Sequence, residues 1–269
     1  MKYRKQYAAI FKVYVQNHLQ HRADVIISWI LSTMTLVVPF TFWRSVYLGR
    51  TEMAGYELTD MITYTVLTTL LGKLLIYDGV HNQVAGDIRE GKLSQFLWRP
   101  VNYRGYLFFS TIGKKVLDSV IMLLLSGILL ISLGSMGYFK IELTMERMVL
   151  FLISVCLAIL LSFSLYYVLG LIAFWMLECS ALYIMLGTLF YFLAGGMFPL
   201  DMFRQIKILS AILPFQYQLF FPIRICLGGL SRQEVIRGMG IQSVWCLILW
   251  FLSVILWKYG IRRYTSVGN

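Results

Sequence analysis

The sequence contains few charged residues, histidines or cysteines, and each shortage excludes a kind of protein. Only 14% of the 269 residues are charged, whereas about a quarter are charged in a typical soluble domain. Neither the three histidines nor the four cysteines are spaced as metal ligands or as a disulfide framework. Cys156, Cys179, Cys226 and Cys246 are therefore predicted to serve packing. No Ser/His/Asp set or His-Glu-x-x-His pattern indicates an enzyme, so no catalytic, metal or cofactor site is predicted.

Acidic residues are especially scarce. Thirteen Asp and Glu stand against 24 Lys and Arg, which gives a formal net charge of +11. In a soluble protein this excess would suggest nucleic acid. Here the cations lie mostly between hydrophobic runs, which favours a role in membrane orientation and in contact with anionic lipid headgroups. Membrane lipid is therefore predicted as a partner, and nucleic acid is not.

Hydrophobic residues, by contrast, make up 59% of the chain and occur in long runs. A helix that spans a bilayer needs about 20 mostly apolar residues. The pattern predicts an all-α polytopic membrane protein with six transmembrane helices, at 25–43, 61–77, 116–136, 148–175, 182–198 and 241–257. Residues 1–22 carry a tyrosine-rich stripe opposite a lysine stripe, which is typical of an interfacial amphipathic helix.

The distribution of Lys and Arg predicts the orientation of these spans. The N-terminal arm holds five, the gap after the second span six and the C-terminal tail three. By the positive-inside rule, both termini and the gap are predicted to be cytoplasmic. The apolar region 199–240 is interrupted by prolines and is predicted to form external re-entrant or broken helices. Its own cations oppose the rule, namely Arg204, Lys207, Arg224, Arg232 and Arg237.

The gap contains a cytoplasmic segment, 85–102, with the features of a short surface helix. Leu93, Phe96 and Leu97 fall at helical spacing on one side. Charged residues precede them, and Pro100 ends the segment. A short helix of this kind, at a membrane surface, could be pushed by a soluble partner.

The residues 86–93, GDIREGKL, nearly match the phosphate-binding pattern G-x-x-x-x-G-K-[ST]. Leu93 replaces the hydroxyl residue that would hold magnesium, and the segment follows a membrane helix rather than a strand. Nucleotide binding is therefore not predicted here. If transport is driven by ATP, another polypeptide binds the ATP.

Two isolated charges have two interpretations each. Lys73 lies inside the second span, where a charge suggests function, but it is close enough to the cytoplasmic end to snorkel, which we favour. Glu178 lies in the short turn after the fourth span and would either contact a partner or be solvated.

Three stretches resemble a known family: EGKLSQFLWRPVN at 90–102, GGMFPLDMF at 195–203 and LPFQYQLFFPIRICLG at 213–228. They look like the membrane subunits of ABC type-2 exporters, and most of all the bacterial subgroup of uncharacterised ABC transporter permeases. The resemblance covers nearly the whole chain. It implies a permease subunit of the bacterial cytoplasmic (inner) membrane, working as a homodimer or heterodimer with two copies of a separate ATPase that binds ATP and Mg.

The resemblance also implies roles for particular residues. The helix after the second span would be the coupling helix, seated in a groove of the ATPase, with contacts from Arg89, Glu90, Lys92, Leu93, Phe96, Leu97 and Trp98. Glu178 would be a secondary coupling contact. The pathway or its gate would involve Lys73, Gly195, Gly196, Pro199, Pro214 and Pro222.

Two alternatives belong to other functional classes. A secondary transporter would be expected to show inverted repeats and charges at the midplane, and the sequence shows neither. A sensor or assembly subunit without transport is the other alternative. Adjacency to a gene for an ATP-binding-cassette ATPase, or co-purification with that subunit, would distinguish these alternatives.

Overall fold

The computed structural model describes residues 37–77, 79–97, 102–139, 144–176, 180–203 and 210–264, with a few isolated positions before them. The predicted interfacial helix, 1–22, and the first part of the span 25–43 lie largely outside the described residues. The described residues are mostly helical.

The described helices are numbered here in chain order. They are α1 Leu58–Leu75, α2 Gly79–Arg89, α3 Ser94–Leu97, α4 Tyr103–Ser135, α5 Met145–Leu171, α6 Ser180–Leu193, α7 Phe220–Cys226 and α8 Arg232–Gly260. Residues 37–46 are also helical. A two-stranded antiparallel hairpin, β1 Glu52–Met53 and β2 Tyr56–Glu57, leads into α1. Short 3-10 turns lie at Ile172–Phe174, Leu200–Met202 and Phe215–Tyr217.

Helix α5 is the centre of the bundle. It packs against α8, α2, α7 and α1. Its second half is buried on nearly every side, including Phe163, Tyr166 and Tyr167. A helix that is apolar all round is typical of a core or a membrane span, and the other helices are arranged around this one.

The bundle has two ends, which are named here by the elements that lie at each. The hairpin end carries β1 and β2, the start of α1, and α7; there Arg232 Nε lies 3.3 Å from Glu146 Oε1. The basal end carries α3, the start of α4, and the ends of α5 and α8. At the basal end Tyr103 stacks on Trp257 with ring centroids 5.5 Å apart, and Trp257 lies 6.1 Å from Phe174. The long helices therefore alternate in direction between the two ends.

Helix α4 begins well before the predicted third span, 116–136. The side chain of Asn102 accepts a hydrogen bond from the backbone N–H of Arg104 (2.9 Å) and so caps the start of the helix. Farther along, Lys115 Nζ donates to the carbonyl of Lys73 (3.1 Å), at the end of α1. The polar residues before position 116 thus belong to the same helix as the apolar run, whereas a hydropathy pattern identifies only the apolar run.

Two other predicted spans also have different ends in the structure. The span predicted at 182–198 is helical only as far as the end of α6, because Gly195, with φ +81°, turns the chain. The last helix extends beyond the predicted 241–257 at both ends. It starts at a capping box in which the Ser231 side chain and the Glu234 carboxylate each accept a backbone N–H of the other residue.

Two of the described helices are long and apolar enough to cross a bilayer: Met145–Phe174 and Arg232–Gly260. Large hydrophobic side chains on α8 are exposed, including Trp250, Phe251 and Ile255. An apolar surface of this kind suits contact with lipid or with another membrane helix. The predicted six-span arrangement includes residues outside the described ranges.

Candidate functional site

The turn between α2 and α3 depends on one glycine. Gly91 adopts φ +72°, a conformation that only glycine reaches without strain. Its carbonyl accepts the Ser94 hydroxyl (2.6 Å), and the Leu93 N–H donates to the carbonyl of Asp87 (3.2 Å). The chain therefore reverses within a few residues and places α3 directly against the end of α2.

The apolar side of this segment packs against its own chain. Leu93 is wholly buried, in the same cluster as Leu107 of α4. The ring of Phe96 lies 5.0 Å from that of Tyr103 and 4.7 Å from that of Tyr106. Phe96 thus anchors α3 to the first turn of α4, and Leu93, wholly buried in the core, has no surface left for another chain.

The opposite side forms a charged ridge, which consists of Arg89, Glu90, Lys92 and Gln95. All four side chains are exposed. Lys92 and Glu90 form an ion pair with side chains 57% and 58% exposed, and their hydrogen bond and charges raise the pKa of Lys92 and lower that of Glu90. An exposed pair contributes little to stability, so the ridge is available for recognition rather than required for folding.

A polar contact lies beneath the ridge, and the sequence analysis did not predict it. The Tyr103 hydroxyl donates to the Asp87 carboxylate (2.7 Å). Burial raises the pKa of Asp87, and this hydrogen bond opposes the shift. The Ser94 N–H also donates to the Tyr264 hydroxyl (3.2 Å). Segments α2, α3, α4 and the tail after α8 are therefore joined at one point.

Helix α2 touches α5 most closely at Gly170. A Cβ added there would lie 2.7 Å from Val84 Cβ and 3.0 Å from His81 Cα. The His81 ring also stacks on Tyr166, with centroids 5.7 Å apart. Helices α2 and α5 are thus in close contact at this position.

Replacement of Gly170 by alanine is expected to destabilise the protein by about 1–3 kcal/mol, because the added methyl group overpacks this contact. Gly187→Ala in α6 is the matched control, since a Cβ there meets nothing within 4 Å and alanine is the better helix former. Thermal unfolding of the purified protein measures both. Equal midpoints for the two variants would contradict the close contact.

The segment that nearly matches a phosphate-binding loop has a different backbone. Gly86 and Arg89 lie within α2, and Gly91 and Lys92 belong to the turn after it. A phosphate-binding loop follows a strand and opens a helix, whereas these residues close a helix. In the described part of the chain, no group of three His, Cys, Asp or Glu side chains could hold a metal ion.

At the hairpin end, Gly195 brings three helices together. Its carbonyl accepts the Tyr64 hydroxyl of α1 (2.5 Å). An added Cβ would lie 2.7 Å from the Tyr64 hydroxyl oxygen and 3.0 Å from Phe220 Cβ of α7. At Gly196 a Cβ would clash with the ring of Tyr191, at 2.3 Å. Gly195 is therefore favoured by its positive φ and by close packing, whereas the contact at Gly196 involves only the exposed ring of Tyr191.

The three prolines lie at the starts of short helical elements. Pro199 precedes the turn Leu200–Met202, and Pro214 precedes the turn Phe215–Tyr217. Pro222 lies in the first turn of α7, where its missing N–H has no helical partner to lose. All three are buried.

A partly buried polar cluster, here called the hairpin-end latch, consists of Tyr56, Asp201 and Arg224. The Tyr56 hydroxyl donates to Asp201 Oδ1 (2.7 Å), and Arg224 Nη1 donates to the Tyr56 hydroxyl (2.9 Å). Arg224 Nη2 lies 3.3 Å from Asp201 Oδ2, with side chains 19% and 15% exposed. The latch joins the hairpin to the short elements before α8.

Comparison with known families supplies the remaining observation. A family model described as "ABC-2 family transporter protein" matches residues 33–268. The chain belongs to the ABC-2 family of transporters. No curated protein matches it. This ABC-2 protein is therefore a membrane permease of a transport system.

Other residues predicted for this permease have varied positions. Lys73 is exposed in the last turn of α1, as snorkelling would require. Leu97 ends α3, while Trp98 and Glu178 lie outside the described residues. The structure does not bring the ridge together with Gly195, Gly196 and the three prolines, because these lie at the hairpin end and the ridge lies at the basal end; of the predicted pathway residues only Lys73 lies toward the basal end.

The latch of this permease was also missed, although a signal for it existed. Arg224 was counted only as a cation that opposes the positive-inside rule. The apolar stretch 199–230 contains a single acid, Asp201, and the cations Arg204, Lys207 and Arg224, so a pairing of this acid with one of them could have been expected. Because Asp201 and Arg224 neutralise each other, Arg224 contributes little to the orientation of the chain.

Proposed function

We propose that this chain is the permease subunit of an ATP-driven exporter in a bacterial cytoplasmic membrane. It would pair with a second permease and with two copies of a separate ATPase, which would bind ATP and Mg. The chain itself would hold no cofactor. The observation that carries the proposal is the charged ridge, an exposed surface at the turn between α2 and α3 whose opposite side is packed against the bundle.

The anchoring supports a coupling role for the ridge. A surface that is to transmit force must not detach from the bundle when it is pushed. Phe96 fixes α3 to α4, Leu93 is buried in the core, and the contact at Gly170 fixes α2 to α5. Arg89, Glu90, Lys92 and Gln95 would contact the ATPase, and closure of the ATPase dimer would move α2 against α5.

The alternating helices support six spans with the basal end in the cytoplasm. Counting the predicted span 25–43, the chain would cross the bilayer before α1 and then by α1, α4, α5, α6 and α8. The elements between α6 and α8 would then cap the external side. The latch and the packing at Gly195 would hold this cap closed until the spans move.

Co-purification with an ATP-binding-cassette ATPase encoded by a neighbouring gene tests the proposal directly. We expect a complex with two ATPase copies and faster ATP hydrolysis than by the ATPase alone. Nucleotide hydrolysis by the isolated permease would contradict the assignment.

Cysteine labelling tests the orientation. In a cysteine-free background, Gln95→Cys should react with a membrane-impermeant maleimide only from the cytoplasm, and Arg237→Cys, exposed near the start of α8, only from outside. Labelling of Gln95→Cys from outside would overturn the coupling role.

A further inference from the structure

Arg104, the second residue of α4, is a partly buried cation without an acidic partner among the described residues. Its Nη1 donates to Ser253 Oγ of α8 (2.7 Å), and its Nη2 donates to Ser164 Oγ of α5 (2.9 Å). The guanidinium carbon lies 5.7 Å from the centroid of the Tyr167 ring. Charges held away from water normally have a counter-charge, so this arrangement lacks an anion.

The groups around Arg104 are rich in hydrogen-bond donors. Ser253 donates its own hydroxyl to the carbonyl of Trp250 (2.7 Å). Within the described residues, neither the Ser164 hydroxyl hydrogen nor the Tyr167 hydroxyl has an acceptor. Both residues are nearly buried, at 4% and 3% exposure. The guanidinium has five N–H donors, of which two are used here. The remaining guanidinium N–H groups and the two hydroxyls are donors without an acceptor among the described residues, which suits an anion.

The position of Arg104 adds two arguments. It lies in the first turn of α4, where the helix dipole disfavours a cation and favours an anion. In a membrane-spanning bundle, Arg104 would also lie near the depth of the lipid headgroups. Met145–Phe174, with 30 residues, is about 45 Å long, close to the thickness of a bilayer with its headgroups. Ser253 lies about two turns, roughly 10 Å, from the basal end of α8, near the boundary between headgroups and hydrocarbon.

We propose that Arg104, Ser164 and Tyr167 bind the phosphate of an anionic phospholipid from the leaflet at the basal end. A guanidinium binds phosphate oxygens in pairs, and the two hydroxyls would donate to the oxygens that remain. The lipid would be seated where α4, α5 and α8 meet. The proposal rests on the membrane placement given above, but not on the ATPase.

Native mass spectrometry of the purified permease, titrated with phosphatidylglycerol, tests the site. Loss of a charge-assisted hydrogen bond is worth about 1.5–3 kcal/mol, so Arg104→Gln should weaken lipid binding at least about tenfold. Arg262→Gln is the matched control, because Arg262 is an exposed arginine at the same end whose guanidinium carbon lies 5.9 Å from the Tyr259 ring centroid. It should change binding less than about twofold.

Further variants and ligands distinguish the outcomes. Ser164→Ala, which removes one donor and disturbs packing little, should give a smaller loss than Arg104→Gln and keeps the test valid if Arg104→Gln does not fold. Equal weakening by Arg104→Gln and Arg262→Gln would overturn the site in favour of general surface charge. Displacement of the lipid by inorganic phosphate at millimolar concentration would overturn the lipid assignment. The measurement needs no ATPase, so a failure of the coupling proposal would be seen separately.

Discussion

Reversal of two charges on the ridge, Arg89→Glu with Lys92→Glu, is expected to lower stimulation of the partner ATPase about tenfold to a hundredfold. The double variant places three neighbouring carboxylates at positions 89, 90 and 92, whereas the native ridge carries two cations and one acid. An ATPase surface that complements the native ridge would then face charges of its own sign, and such a juxtaposition costs several kcal/mol. ATP hydrolysis by the reconstituted complex in nanodiscs is the measurement.

Because both reversed side chains are exposed, the permease itself should fold and melt as before. Arg50→Glu with Arg237→Glu is the matched control, since both residues are also exposed but belong to the hairpin end. This control should leave ATPase stimulation unchanged. Unchanged stimulation in the ridge variant would count against the coupling surface.

Phe96→Ala tests the anchoring of α3 beneath the ridge. Phe96 packs on Tyr103 and Tyr106, so its loss should lower the melting temperature as well as the coupling. The helical spacing of Leu93, Phe96 and Leu97 predicts one apolar side, and in the structure Leu93 is buried and Phe96 partly buried. The spacing does not show which part of the protein covers that side. Phe96 is covered by α4 of the same chain, and Leu93 lies in the chain's own core.

Long-range polar contacts explain most of what the sequence could not predict. Tyr56 and Arg224 are separated by 168 positions, and no periodicity relates them. Asp87 and Tyr103 are closer in sequence, yet they meet only because Gly91 turns the chain between α2 and α3. The family, in contrast, could be predicted from contiguous stretches, because these keep their residues and order in one segment.

The helix bounds show a similar limit. Hydropathy finds apolar runs well, so the predicted spans 61–77 and 148–175 overlap α1 and α5. It places the start of α4 too late because Arg104 and Lys115 are polar, although each has partners on neighbouring helices. Whether a polar residue belongs to a helix of the bundle thus depends on its contacts with other helices, and a hydropathy pattern does not contain these contacts.

The latch gives the largest expected loss of stability. Asp201→Ala would leave the partly buried Arg224 guanidinium without its carboxylate. Removal of one partner costs about 3–5 kcal/mol in a fully buried pair, so we expect a smaller loss here, about 2–3 kcal/mol. The expected fall in melting temperature is of the order of 10 °C for a chain of this size. In the complex, the same variant should hydrolyse ATP faster in the absence of cargo, because the cap would no longer be held closed.

The ion pair between Arg232 and Glu146 provides an internal control for the latch. Its atoms lie 3.3 Å apart, the same as in the latch, but its side chains are 78% and 61% exposed. Glu146→Ala should therefore cost no more than about 1 kcal/mol. A second variant, Asp201→Ala with Arg224→Leu, should recover part of the lost stability because no unpaired charge remains. If Asp201→Ala melts no lower than Glu146→Ala, burial does not strengthen the latch, and the cap must be held by the packing at Gly195 instead.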